Sequence, residues 1–490
     1  MLIKKISKNY LTAKLLQGLA LALFANSIII PHLTSVNYHP LSFEVLFFFS
    51  SIFVFFFIIG FFSYWSLFII FTFFLTYWSL DSLFIEKKFL REILILCLLV
   101  FFKFWTLDRK LLPKITIVFS IVFISFSLFS FENRILLDEK IESKYNNSLI
   151  KPKFSYLHII LDEHASLQLA PDQYNDEIFN KTFENDYVSN NFKIYNKTFT
   201  YYPRTKSTLG SLFTLYHKED KTITKYNFYY PNNRFSVSII QNLYSHKLKN
   251  NGFKISYIQS NGVEICDKHT AYKCETYSRG SNMNLFEKYD LTYKERIEIA
   301  LLNLHQYYYH KGKVVILYKK IIDIIKPDKP GYYGFYSRPL ANLYILDEIH
   351  NRIKNIKEGE ALIAHILLPH YPYVLDKDCN LKKTDDWTYP LRHKMNTKSS
   401  AYQGHYDQLQ CTHKKMKSIL KEAGKNDNLI VVVHGDHGAR LFRNTKYSNK
   451  NDNLGTIVAI KDKFTNPMSV NEDVELQTIF VNFIKKNFIK

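Results

Sequence analysis

Two short clusters in this sequence carry residue types suited to holding a divalent cation. Asp162-Glu163 follows one apolar run, and Asp436-His437 stands inside Gly435-Asp436-His437-Gly438 after another. Carboxylate oxygens with an imidazole nitrogen form a mixed donor set that favours Zn or Mn over Ca. The glycines around the second cluster permit close backbone approach. A third cluster, Tyr202-Pro203-Arg204-Thr205-Lys206-Ser207-Thr208, leads into an apolar-periodic helix that runs towards Thr214. A hydroxyl at a helix start meets free backbone N–H groups, which suit either a bound phosphate or an ordinary N-cap. Each cluster alone has a bland explanation, because acidic pairs cap helices and a lone Asp-His pair often buttresses a fold. Their joint presence points to a reactive centre.

The elements that would position them are those of an α/β domain. Leu157–Leu161 and Leu429–Val433 are short apolar runs that end in the two acidic clusters, as buried parallel strands do. Ala361–Leu368 is a third such run, ending in Pro369-His370. Tyr402–Glu422 has helical spacing and completes a strand–helix–strand unit. Polar groups just beyond the C-terminal ends of strands are where open α/β sheets carry their sites. The expected fold is therefore a central, mostly parallel sheet with helices on both faces.

The order of these features resembles the alkaline phosphatase/sulfatase superfamily: a carboxylate after the first strand, a hydroxyl at a helix start, a histidine, then Asp-His-Gly. Within it, the layout resembles membrane-anchored phosphoethanolamine transferases of lipopolysaccharide and lipoteichoic acid synthases. The resemblance covers roughly residues 150–490 through short motifs. It implies that Glu163 (with Asp162 as the alternative), Thr205, Asp436 and His437 bind one metal, and that Thr205 is the nucleophile. Ser211-Leu212-Phe213-Thr214 matches the end of the nucleophile motif, with Gly210 at a position usually held by Pro. His365–Tyr373 resembles the family's histidine-containing strand end. There His370 would touch the transferred phosphate, as ligand or proton donor, or a second metal. Two departures stand out: Ala439-Arg440 replaces the usual small or acidic residues, and Leu441–Leu454 offers no second-metal histidine. Arg440 is suited to binding phosphate oxygens instead.

The first part of the chain differs from the rest. Residues 1–132 are dense in Phe, Ile and Leu, with five stretches that approach a bilayer's span: Lys14–His32, Leu41–Tyr64, Ser66–Ile85, Glu92–Thr106 and Ile115–Phe131. Lys4, Lys5, Lys8 and Lys14 place the N-terminus in the cytoplasm by the positive-inside rule. Five crossings put the remainder outside, although the loop containing Lys87, Lys88 and Arg91 opposes that rule. Four crossings would bring it inside. The expected division is a transmembrane domain over residues 1–132, a linker over 133–152 and an extracytoplasmic domain over 153–490.

Cys266, Cys274, Cys379 and Cys411 all lie in that last domain. An even count in an exported domain suggests disulfides, of which three pairings exist. Cys266–Cys274 and Cys379–Cys411 is the expected one, and four free thiols in a cytosolic domain is the alternative. The formal net charge of +20 suits an anionic partner. Scattered lysines without a recognition helix or zinc-finger spacing argue against nucleic acid.

The resemblance implies metal-dependent transfer of a phospholipid head group, phosphoethanolamine- or phosphoglycerol-like, to a surface glycan or lipid-linked acceptor. The step would pass through a phosphothreonine, at the outer face of the cytoplasmic (inner) membrane. The alternatives are a sulfatase-like phosphodiester or sulfate ester hydrolase, and a non-catalytic membrane scaffold. The Cys/Ser-x-Pro-x-Arg motif of sulfatases is not supplied by Thr205-Lys-Ser-Thr-Leu. Substrate choice is expected to reside in Thr222–Leu285 and Ser337–Asn351.

Overall fold

A computed structural model describes residues 2–35, 38–62, 111–129, 137–142, 152–170, 176–215, 228–229, 237–239, 242–260, 262–277, 289, 291–301, 338–383, 386–391 and 397–488. Two compact units emerge: Met1–Arg134 with Ser281–Gly334, and Ile135–Gly280 with Phe335–Lys490.

The first unit includes α1 (Leu2–Ser35), α2 (Phe43–Phe62) and α3 (Leu111–Phe129), with a further helical stretch over residues 293–301. Among the described residues, α2 is the one helix long and apolar enough to cross a membrane, with mean hydropathy 2.7. The apolar part of α3 is shorter, Pro113–Val122, and α1 carries Lys4, Lys5, Lys8 and Lys14. The expected spans Ser66–Ile85 and Glu92–Thr106 lie outside the described residues. Five spans therefore remain an expectation. Glu44, in the first turn of α2, is fully buried and accepts a 3.1 Å hydrogen bond from Arg296 Nη2. A carboxylate taken out of water requires such a partner, and this pair ties the 291–301 segment to the start of α2.

The second unit is built on a sheet of order β1-β8-β6-β9-β2-β10-β11-β3-β12. Its strands are β1 (Leu137–Glu142), β2 (Ser155–Leu161), β3 (Lys193–Phe199), β6 (Lys254–Ser260), β8 (Ala271–Tyr277), β9 (Glu360–Ile366), β10 (Leu429–Gly435), β11 (Gly455–Lys461) and β12 (Met468–Val470). A short β13 (Val474–Glu475) pairs with β3, while β4 (Phe228–Tyr229), β5 (Val237–Ile239) and β7 (Val263–Glu264) form a small separate sheet. From β8 through β6, β9 and β2 to β10 every neighbour is parallel, and β11 turns antiparallel against β10. The three strands expected from sequence are thus adjacent at the centre, in the order β9-β2-β10. Every residue of β2 and β10 is buried, which is why both read as continuous apolar runs rather than alternating ones.

The helices of this unit are α4 (Glu177–Val188), α5 (Thr205–Phe213), α6 (Leu243–Asn250), α7 (Arg338–Ile353), α8 (Lys398–Gly424), α9 (Lys450–Leu454) and α10 (Leu476–Phe488). Helix α8 contains the expected Tyr402–Glu422 stretch and is capped by Thr397, whose hydroxyl accepts from the Ser400 N–H at 3.1 Å. One core gathers Tyr156, Ile160, Leu209, Phe213, Tyr244 and Phe480 from β2, α5, α6 and α10. The segment read as linker supplies β1, which pairs antiparallel with β8 in the register Ile141↔Cys274. Four charged residues in Leu-Asp-Glu-Lys-Ile-Glu suit an edge strand.

Candidate active site

The C-terminal ends of β2 and β10 lie side by side, with Leu161 paired to Gly435. The chain therefore delivers Asp162-Glu163 and Asp436-His437 to the same edge. Tight packing makes glycine obligatory around the second pair. A Cβ on Gly435 would stand 2.5 Å from the His164 carbonyl oxygen, and one on Gly438 2.4 Å from that of Asp452.

Asp436 is fully buried. Its Oδ1 accepts from the backbone N–H groups of Glu163 (3.0 Å) and His437 (2.8 Å). Its Oδ2 accepts no hydrogen bond from the described residues and faces His437 Nε2 at 3.2 Å. His437 Nδ1 donates to the Gly438 carbonyl at 2.8 Å. In the neutral ring that leaves Nε2 as the lone-pair nitrogen, aimed inward.

Thr205 is the first residue of α5, after the extended N-cap residue Arg204, whose side chain makes no capping bond. The Thr205 hydroxyl lies 3.1 Å from His437 Nε2 and 3.4 Å from Asp162 Oδ1, and Asp162 Oδ1 is 3.7 Å from His437 Nε2. Four donor atoms, from Asp162, Thr205, Asp436 and His437, are thus separated by 3.1 to 3.7 Å wherever a distance is measured. Tetrahedral coordination with bonds near 2.0–2.1 Å needs donor–donor edges of about 3.3 Å. With a buried carboxylate oxygen lacking a hydrogen bond, this set fits a divalent cation. His365 belongs to the same neighbourhood: one of its ring nitrogens and one oxygen each from Asp162 and Asp436 all lie within 4.8 Å of one another.

Burial sets the electrostatics. Loss of water, then the charges of Asp436 and Glu163, push the Asp162 carboxyl well above its usual range. Burial pushes Asp436 up to about 7, opposed by the Glu163 N–H and by Arg440. Both carboxylates are therefore costly as bare anions and gain from a nearby positive charge.

Glu163, the first choice from sequence for the acidic ligand, is fully buried, and its Oε2 accepts no hydrogen bond from the described residues. Its Oε1 accepts from Arg440 Nε at 3.1 Å and also from Arg440 Nη2, while Arg440 Nη1 donates to the Pro203 carbonyl at 3.1 Å. Both residues are held at positive φ, 62° for Glu163 and 53° for Arg440. Such backbone persists where surrounding contacts over-determine it. The turn after β2 thus sends Asp162 towards Thr205 and the Oε1 of Glu163 towards Arg440, which also holds the carbonyl of Pro203, two residues before the nucleophile candidate. His370, just beyond β9, places Nε2 3.7 Å from Glu163 Oε1. Gln408 of α8 donates to the His370 carbonyl at 2.9 Å and fixes that loop. The two cysteine pairs are bonded, Cys266 to Cys274 and Cys379 to Cys411.

Sequence reasoning missed a polar chain in the core beneath the site. His158 Nε2 is 2.9 Å from His434 Nε2, His158 Nδ1 is 2.9 Å from Tyr244 Oη, and Tyr244 Oη is 2.8 Å from Tyr156 Oη. His434 Nδ1 contacts the Gly435 carbonyl at 2.9 Å. Burial lowers both histidines, His434 to about 4 and His158 well below its usual value, so both rings are neutral at pH 7. A carbonyl only accepts, so His434 carries its proton on Nδ1 and His158 must donate through Nε2. Tyr244 Oη donates to Tyr156 Oη. The chain ends on the carbonyl next to Asp436. A His at alternating distance in an apolar strand was the available signal.

No family model and no curated protein matches the chain. Solved structures do. The C-terminal periplasmic domain of EcEptC from Escherichia coli, in complex with Zn, aligns at 12% identity over 71% of this chain and 85% of its own, with a TM-score of 0.39. The periplasmic domain of the phosphoethanolamine transferase EptC from Campylobacter jejuni aligns at 10% identity over 69% and 90%, with a TM-score of 0.38. A protein in the alkaline phosphatase superfamily from Vibrio parahaemolyticus aligns at 10% identity over 71% and 72%, with a TM-score of 0.36. With likeness this distant, roles must be argued from the side chains themselves.

Proposed function

We propose that the second unit is a metal-dependent phosphotransferase that moves a phospholipid head group, through a covalent bond to Thr205, to a hydroxyl of a surface glycan or lipid-linked acceptor. The observation that carries this reading is the Thr205 hydroxyl lying 3.1 Å from His437 Nε2 and 3.4 Å from Asp162 Oδ1, at the start of a helix. A helix cap would need no such neighbours.

Asp162, Thr205, Asp436 and His437 would hold a divalent cation, Zn or Mn, which supplies charge neutralisation for the nucleophile and a phosphoryl oxygen. Thr205 Oγ1 forms a new bond to phosphorus as the bond to the diacylglycerol oxygen breaks. The proton lost by Thr205 balances the one gained by the departing alcohol. In the second half an acceptor hydroxyl displaces Thr205, which recovers a proton. Asp162, Glu163 and Asp436 are buried close to the buried Arg338 and Arg440. A dication held there would add positive charge, which suits an anionic substrate. Arg440 and His370 would contact the phosphoryl oxygens. Residues 1–132 would anchor the enzyme beside a donor that stays in the bilayer, with residues 153–490 on the periplasmic side.

Phospholipid labelled in its head group, offered to the purified full chain with and without a glycan acceptor, tests the reading. Label on the glycan supports transfer. Label released to water at the same rate whether or not glycan is present would make the chain a hydrolase.

A further inference from the structure

Arg338 contacts the site through His370, and neither motif order nor composition marks it. It opens α7, followed by Pro339, which suits the first turn of a helix. The side chain is buried. Its position is set by Asn342 one turn on: Asn342 Nδ2 donates to the Arg338 carbonyl at 2.8 Å, and Asn342 Oδ1 accepts from the Leu367 N–H at 2.7 Å. One buried amide thus fastens the start of α7 to the end of β9. From there Arg338 Nη1 reaches His370 Nδ1 at 2.9 Å and the Tyr371 carbonyl at 3.5 Å.

A guanidinium only donates. In that pairing His370 Nδ1 offers its lone pair, which puts the ring proton on Nε2, on the side of Glu163 and the site. A doubly protonated ring would set N–H against N–H and a cation against a cation. The Tyr371 carbonyl, 2.7 Å from Nδ1, is the competing partner that would draw the proton the other way. A single Arg338 amine that bridges Nδ1 and this carbonyl resolves the competition.

We infer that Arg338 is a positioning residue that holds His370 neutral with its proton on Nε2, so that His370 donates a hydrogen bond to a phosphoryl oxygen and does not act as a base. This rests on the phosphotransferase reading for the identity of the oxygen, but the tautomer can be read without turnover. Arg338 lies within Ser337–Asn351, one of the segments expected to choose substrate.

The test uses the full chain in lipid, labelled with 15N-histidine, with the His370 signals assigned by difference from His370→Gln. Wild type should show a neutral His370 protonated at Nε2. Arg338→Met should move the proton to Nδ1, towards the Tyr371 carbonyl, and Arg338→Lys should restore the Nε2 form. A second arm measures inorganic phosphate binding, which Arg338→Met should weaken about tenfold or more, the worth of a hydrogen bond to a charged group. An Nδ1-protonated ring in wild type would overturn the inference, as would a folded Arg338→Met protein with an unchanged tautomer. If phosphate binds nowhere near His370 while the tautomer follows Arg338, the positioning stands and the phosphotransferase reading fails.

Discussion

Thr205 and His437, 232 positions apart, bring a hydroxyl oxygen and an imidazole nitrogen to 3.1 Å of each other. The link is indirect in sequence and direct in space. Helix α5 presents the hydroxyl from its first turn, and the turn after β10 presents the nitrogen. Replacement of Thr205 by Ala should remove head-group transfer by about 10³-fold or more, as loss of a nucleophile does. Thr205→Ser should keep a measurable fraction. Circular dichroism of both variants should match wild type, because Thr205 makes no capping bond whose loss would melt α5.

Metal binding should depend on pH in a defined direction. Asp436 is pushed up to about 7, so below that pH a proton competes with the cation at its carboxylate. Zn affinity, measured by competition with a chromogenic chelator, should fall as the pH drops from 7.5 to 5.5. In the metal-free protein the sign reverses for stability. A folded-state value above the unfolded one means that the native state binds the proton more tightly, so the contribution of Asp436 to stability falls as the pH rises from about 4 to about 7. Buried neutral His158 and His434 act in the opposite direction over that range, so the decline is read as the difference between metal-free wild type and Asp436→Asn. Added Zn should abolish that decline, and a difference that does not fall with rising pH would contradict the assignment.

The Glu163–Arg440 pair is buried on both sides. Glu163→Gln or Arg440→Met alone should destabilise the domain by about 3–5 kcal/mol, because each leaves an uncompensated buried charge. The double variant should recover much of that loss. Urea unfolding of the three proteins decides, and additive losses would show that the two side chains do not act as a pair.

How much of this was legible in sequence follows from what each feature requires. Gly-Asp-His-Gly was readable because both glycines answer to local crowding, against His164 and Asp452. The strands β2, β9 and β10 were readable because burial on both faces leaves an uninterrupted apolar run. Which of Asp162 and Glu163 faces Thr205 was not, since the answer depends on a positive φ at Glu163 and on Arg440 waiting across the turn. Arg338 was invisible for a similar reason. A single arginine at a helix start has no pattern until Asn342 and β9 fix where it points. The His158–His434 contact joins strands 276 positions apart, and its partners become evident only when the register is known.

That histidine pair gives a further expectation. His434→Leu leaves the buried His158 Nε2–H without its acceptor and should cost about 1–3 kcal/mol. Replacing both by Leu should cost less than the single change. Equal unfolding midpoints for His434→Leu and wild type would mean that the chain of contacts contributes nothing to holding the turn before Asp436.

Cys379–Cys411 closes a loop with a sequence separation of 32. Its removal by Cys379→Ser with Cys411→Ser should lower stability by about 3–4 kcal/mol on the chain-entropy account. A reductant titration followed by tryptophan fluorescence should show the same loss in wild type and none in the variant.

The most direct measurement is the intact mass of the full chain after exposure to phospholipid, followed by localisation of any added group. Wild type should gain one phosphorylated head group, placed on Thr205, and Thr205→Ala should gain nothing. An adduct of equal extent on the Thr205→Ala protein, or one placed on another residue in wild type, would contradict the account.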